Sequence, residues 1–252
     1  MRNLRRAAEL FRRSVGFTLP ILVALTASSA SQDASAGRFA TFKQLLRERK
    51  IPLTEEGLMA GLRNPDAHVR YLAALVLAED KTASSVPAIE TALMIEKVPE
   101  TRVNIALALA KFGDKKGFFV LRESCDDAEL APHLKVYAAK YLLDLHDKGC
   151  LSSIEGVVQS SPDAGARVLA LSQLPRFQEV SAADLDRILG IATEALSDQN
   201  PTVRIAASHA LVELGNSSAV SPLEKEIASE HEEGVRSIMR ADLRRLQEKA
   251  GH

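Results

Sequence analysis

Apolar residues in this chain recur at helical spacing, and the helical pattern itself then recurs as a unit. Pro201 to Ile227 reads as two short amphipathic helices, Thr202–Leu214 and Ala219–Ile227, joined at Gly215-Asn216. The same arrangement stands four more times upstream. Aligned on the basic residue near the front of each first helix, Arg70, Arg102, Lys135, Arg167 and Arg204 form one column, which Arg236 continues. The steps between them are 32, 33, 32, 37 and 32 residues. A period of this length belongs to stacked helical hairpins.

Two further columns keep the same phase. Seven positions after each basic residue stand Leu77, Leu109, Leu142, Leu174, Leu211 and Leu243. Fifteen positions after it, in the first, second, third and fifth copies, stand the small residues Ser85, Gly117, Cys150 and Ala219. A leucine on every first helix is a core knob, and a small residue at the start of the second helix lets two backbones cross closely. The predicted fold is therefore all-α: an alpha-alpha superhelix, or solenoid, of about five hairpins over 65–97, 98–130, 131–161, 162–199 and 200–231. Capping helices are expected over 37–64 and 232–249. The first rests on Phe39, Phe42, Leu45 and Leu46, and the last turns Met239, Leu243 and Leu246 inward.

Each copy opens with a proline (Pro65, Pro99, Pro132, Pro162 or Pro201), where the first helical turn has no internal use for the missing N–H. Asp114, Asp147 and Asn216 share one register in the turn between helices, as short polar side chains that stabilise tight turns. The fourth copy departs from the rest. Leu174-Pro175 must end or kink its first helix, and added residues near Arg176–Ala183 lengthen the connection. Local bending of the array is the expected consequence.

At the front of the chain the pattern is different. Residues 1–13 are basic, Gly16–Ala27 is apolar, and small residues follow, the three parts of a secretory signal. Cleavage after Ala30, or as late as Ala36, satisfies the small-residue rule, and the mature protein is then periplasmic or secreted, with no stable membrane span. The alternative is an uncleaved N-terminal helix that anchors the chain in the membrane, but the apolar run is shorter than the roughly 20 residues a spanning helix needs. Without residues 1–30, which carry five arginines and one acid, the net charge moves from −1 to −5. A mildly acidic array with few aromatics and no tryptophan does not suit a phosphate backbone, and no nucleic acid is expected as a partner.

The chain from about 65 to 249 resembles the HEAT repeat family, closest to the short bacterial type first noted in phycobilisome lyases. Val69-Arg70, Gly113-Asp114, Val86-Pro87, Val203-Arg204, Gly215-Asn216 and Val220-Ser221-Pro222 carry the resemblance. It implies a solenoid and, for most members, a scaffold that holds other proteins. It also raises a chromophore-lyase-like activity as an alternative, and a repeat-type nucleic-acid binder as a second.

Candidate chemistry is sparse. No nucleophile elbow, phosphate loop, zinc-hydrolase or paired-cysteine motif is present, and no catalytic, cofactor or metal site is expected. His68 and His133 lie two repeats apart, and the resemblance to HEAT-type iron hydroxylases fails because only His231-Glu232 repeats their His-Glu pair. The basic column is read as structural: each side chain meets acids or carbonyls of the preceding repeat and sets the stacking. Alternatively, the column is a ladder for an acidic partner. A face for binding another protein is expected on the second helices, at Phe119 with Glu90, Arg122, Glu155 and Glu224. Phe119 is its one apolar anchor, unless it simply packs with Phe118. Cys125 and Cys150 fall at opposite ends of neighbouring second helices. About 12 Å along the axis and roughly 10 Å across it exceed the ~7 Å that a disulfide spans, so two free buried thiols are expected.

Overall fold

The computed structural model describes residues 40–177 and 181–250, so the apolar segment Gly16–Ala27, both cleavage positions and Phe39 lie outside the described residues. No strand occurs among the described residues, and no helix there is long and apolar enough to cross a membrane. The chain divides into two units at Leu53. In the first, a helix (α1) spans 40–48.

The second unit is an all-α solenoid. A short helix, α2 (Glu55–Gly61), is capped by the Thr54 hydroxyl, which accepts a hydrogen bond from the Gly57 amide at 3.2 Å. Five hairpins follow: α3 (Ala67–Glu79) with α4 (Val86–Ile95), α5 (Pro99–Lys111) with α6 (Lys115–Asp126), α7 (Pro132–Asp144) with α8 (Leu151–Ser160), α9 (Ala164–Gln173) with α10 (Ala182–Glu194), and α11 (Pro201–Leu214) with α12 (Val220–Ser229). The last helix, α13 (Glu233–Ala250), packs on α11 and α12 and so extends the row of first helices. Proline opens α5, α7 and α11 at the position where its missing donor is harmless. Asp66, Asp114, Asp163 and Asn200 cap the starts of α3, α6, α9 and α11.

The core runs along the interior of the stack. Leu77, Leu109, Leu142, Leu174 and Leu211 are fully buried, and Leu243 is half-buried on the terminal helix. Ser85, Gly117, Cys150 and Ala219 are buried at the starts of the second helices or the turns into them. Gly117 shows why that column stays small: a β-carbon there would stand 2.4 Å from the Ala110 nitrogen and 2.6 Å from the Ala106 oxygen. The backbones of α5 and α6 touch at this point, and only hydrogen fits between them.

The turns share a geometry that residue identity only half reveals. Lys81, Gly113, His146 and Gly215, each eleven positions after its basic residue, all have positive φ, of 54°, 78°, 63° and 66°. Glycine takes this left-handed region freely, whereas Lys81 and His146 carry the steric penalty of a β-carbon. Two residues on, α6 starts after Gly113 and short 3-10 turns leading into α4 and α12 start after Lys81 and Gly215, whereas after His146 the turn runs on to α8 at Leu151. Asp114, Asp147 and Asn216 accept from the amides of Lys116, Gly149 and Ser218 at 2.8, 2.9 and 2.9 Å. In the fourth copy α9 stops at Gln173, and Leu174–Phe177 tightens into a 3-10 turn around Pro175, with Phe177 fully buried.

The cysteines depart from expectation. Cys125 and Cys150 form a disulfide, with their Cα atoms 6.0 Å apart. The separation expected from the sequence assumed second helices lying side by side and level. Instead the end of α6 sits over the start of α8. Ser153 donates to Asp126 at 3.1 Å, and Arg122 donates to Asp147 at 2.9 Å, across the same offset. The stagger removes the axial distance that had kept the sulfurs apart.

Candidate functional site

The basic column resolves into two groups. Arg70 makes a forked pair with Glu96 at 2.7 and 2.9 Å and donates to the carbonyls of Asn64 and Pro65 at 2.8 and 3.0 Å. Arg204 repeats this with Glu230 at 2.6 and 3.0 Å and with the carbonyls of Asp198 and Gln199. Arg167 holds Asp198 at 2.9 Å through both nitrogens and the Ser161 carbonyl at 2.7 Å. Arg236 reaches the Glu230 carbonyl at 2.9 Å. The carbonyls belong to the turn that enters the hairpin. The acids, however, come from the exit of the same hairpin, not from the preceding repeat. Arg70, Arg167 and Arg204 thus tie the two ends of their own hairpins together, with the fixed two-pronged geometry that suits a guanidinium, whereas Arg236 on the terminal helix pairs with Glu233 of that same helix.

Glu96 and Glu230 are themselves buried. Burial pushes the Glu96 carboxyl up, but the hydrogen bonds from Arg70 and from the Val98 and Lys97 amides, with the guanidinium charge, outweigh it and hold the group below its ordinary value. For Glu230, the hydrogen bond from Arg204 leads the downward shift against the opposing effect of burial. The acids carry a sequence signal that the reading from sequence passed over, since both stand 26 residues after their arginine. In the second and third copies that position holds Ala128 and Ser161. There the tie lapses. Arg102 turns instead to the half-exposed Glu123 at 3.4 Å, and Lys135 is half-buried with no ion pair among the described residues.

Where the arginine tie is missing, the molecule opens a groove of about 1170 Å³ bounded by α4, α6 and the turn from α7 to α8. Phe119 and Met94 project into it and remain 64% and 81% exposed. Phe118 is half-buried beside the groove, so Phe119 is not withdrawn into the core with it. Comparison along the repeat sharpens the point. The exposed position that holds Phe119 in the second copy holds Pro87, Ser152 and Ser221 elsewhere, and the one that holds Met94 in the first copy holds Asp126, Gln159 and Ala228. At both solvent-facing positions a large apolar side chain stands here and nowhere else in these four copies.

Of the five residues expected on a binding face, three meet at this groove: Phe119, Glu90 and Arg122. Glu90 is paired with Lys116, and Arg122 with Asp147. Glu155 lies farther along, bound to Arg187 at 2.7 Å, and Glu224 accepts from Gln247 at 3.4 Å near the end of the array. Met94, Lys115 and Lys148 were missed: Lys148 lies on a turn, and helical spacing alone marks Met94 and Lys115 only as outward-facing, not as facing one groove. A polar cluster on α11 and α13 was also missed: Ser208 donates to the buried Asp242 at 2.8 Å, and His209 Nε2 lies 3.3 Å from the same oxygen. The serine hydroxyl points at the carboxylate and not at the imidazole, so the three join helices and do not form a nucleophile-base pair. Among the described residues no three His, Cys, Asp or Glu side chains converge as a metal site. His231 and Glu232 are exposed, and Glu232 pairs with Arg204 at 3.1 Å.

Stacked antiparallel hairpins with a leucine seam define an α-solenoid of the scaffold type. The family described as HEAT repeats matches residues 55–134 and 153–244, and the chain belongs to that family. The unmatched interval holds the turn with His146 and Asp147, where α6 and α8 are offset. No match was found among curated proteins. Among solved structures, the chain is similar to an engineered protein at 19% identity, covering 78% of this chain and 96% of that one, with a TM-score of 0.49. It is also similar to human deoxyhypusine hydroxylase in complex with glycerol at 15% identity, covering 77% and 84%, with a TM-score of 0.29.

Proposed function

We propose that this chain is a non-catalytic HEAT-repeat scaffold that works outside the cytoplasm and binds another protein through the groove at Phe119. The observation that carries the reading is the pair of exposed apolar side chains, Phe119 and Met94, at positions that are small or polar in the other copies. Leaving such side chains in water forgoes roughly 1.5–3 kcal/mol each, and an apolar anchor with a charged rim is the usual composition of an interface centre. The Cys125–Cys150 bridge supports the extracytoplasmic part, since disulfides persist in oxidising compartments.

A photo-crosslinking amino acid placed at 119, 155 or 224 in intact cells tests both parts. Protein adducts are expected from position 119, and they should disappear when Met94→Ser is added. Adducts of equal yield from all three positions, or none from 119, would remove the groove as the docking face. N-terminal sequencing of the purified protein should begin after Ala30 or Ala36. A chain recovered from the cytoplasm with Met1 intact would end the export reading.

A further inference from the structure

We infer that the segment docking in this groove is an acidic stretch of polypeptide carrying a large apolar side chain. This rests on the scaffold reading above and specifies its partner. The charge of the groove points that way. Its cations are Lys115, Lys116, Lys148, Arg102 and Arg122, and its acids are only Glu90 and Asp147, a net charge of +3. The whole chain is −1, so this is a local reversal of sign. The two acids are already engaged by Lys116 and Arg122. Lys115, at the exposed first position of α6, has no ion-pair partner among the described residues, and Arg102 holds Glu123 only at 3.4 Å on the rim. Carboxylates entering here meet positive charge, while Phe119 and Met94 offer the apolar contact.

The surroundings also give the segment a polarity. A second hollow of about 720 Å³ shares Arg102, Phe119 and Arg122 with the first, and Glu123, Asp126 and Asp127 at the end of α6 form its acidic wall. Acids of the partner therefore lie on one side of its apolar residue only, toward Lys115 at the start of α6 and away from the acids at its end. The same acidic wall, with Glu90 and Asp147 in the main groove, opposes a continuous phosphate backbone. A single exposed aromatic is no stacking track for bases.

The test uses fluorescein-labelled twelve-residue peptides and the full mature chain. One pair carries Glu-Asp-Glu before or after Phe-Leu in a Gly/Ser background. Control peptides replace the acids by lysine or Phe-Leu by serine, and a twelve-nucleotide oligo-dT stands for nucleic acid. One of the acidic-apolar peptides should bind at micromolar concentration by anisotropy, weaken at least fivefold with Phe119→Ala and with Lys115→Glu, and weaken further as salt is raised. Glu224→Ala should leave binding unchanged, and circular dichroism checks that the surface variants keep their helix content. Equal binding of the lysine peptide or of oligo-dT overturns the inference, as does failure of both acidic-apolar peptides. If those peptides fail while position 119 still crosslinks to a protein in cells, the partner chemistry falls and the scaffold reading stands. Loss of both results removes both.

Discussion

Arg204 and Glu230, at the two ends of one hairpin, meet through paired hydrogen bonds of 2.6 and 3.0 Å, and the same contact joins Arg70 to Glu96. The side chains of Arg204 and Glu230 are only 12% and 4% exposed, so the pair is largely out of water. Breaking one partner of such a pair leaves an uncompensated charge behind, at about 3 kcal/mol. Arg204→Ala should therefore lower the urea midpoint by an amount equivalent to about 3 kcal/mol. Arg102→Ala, whose pair with Glu123 is 39% and 51% exposed, should change stability by no more than about 1 kcal/mol. Equal losses in the two variants would mean that the column does not act through these acids.

The same contacts set a response to acid. Glu96 and Glu230 have folded-state values below the ordinary 4.5. A group lowered on folding contributes stability that is fully present above its unfolded value and is lost as pH falls through the folded one. Denaturation followed from pH 7 downward should show stability constant to about pH 5 and declining below 4.5. The Glu96→Gln, Glu230→Gln double variant should start less stable and decline less steeply. A parallel decline would assign the acid sensitivity elsewhere.

The disulfide replaces the arginine tie in the part of the array that lacks it. It closes a loop with a sequence separation of 25, for which the loss of unfolded-chain entropy corresponds to about 3.5 kcal/mol. Reduction, or Cys125→Ser with Cys150→Ser, should lower the melting temperature by about 7–14 °C. Hydrogen exchange should rise first in α6 and the start of α8, not in α11. A native protein with two titratable thiols and no mass change on reduction would contradict the bridge.

His146 occupies a backbone region that Gly113 and Gly215 enter without strain. His146→Gly should stabilise the protein by up to about 1 kcal/mol in thermal unfolding, less whatever glycine adds to the freedom of the unfolded chain. Gly117→Ala should act in the opposite sense, by about 1–3 kcal/mol, because its β-carbon meets helix backbone that cannot swing aside as a side chain would. A neutral Gly117→Ala would show that α5 and α6 are not in close contact there.

Much of this architecture could be read from the chain before any coordinates. Helical periodicity decides which side of each helix faces inward, and a residue type that returns every turn of the repeat, such as the leucine at 77, 109, 142, 174 and 211, can have only one environment. The turn acids at 114 and 147 were legible for the same reason, since a side chain that caps the amide two residues later needs no distant partner. Partners contributed by other elements left at most a faint trace, the shared 26-residue spacing of Glu96 and Glu230 from their arginines. The acid for Arg167 is 31 residues away and those for Arg70 and Arg204 are 26 away, and nothing local selects them.

The offset between α6 and α8 is the clearest case. Periodicity specifies the face of a helix but not how far it slides along its neighbour, because that slide is set by the summed packing of many side chains across the contact. It brought Cys125 to Cys150 against the expectation drawn from spacing alone, and the open groove beside it gathers Met94, Phe119 and Lys148 from two helices and a turn. Local pattern thus specified the hairpins and their seam, while the placement of one hairpin against the next was left to three-dimensional packing.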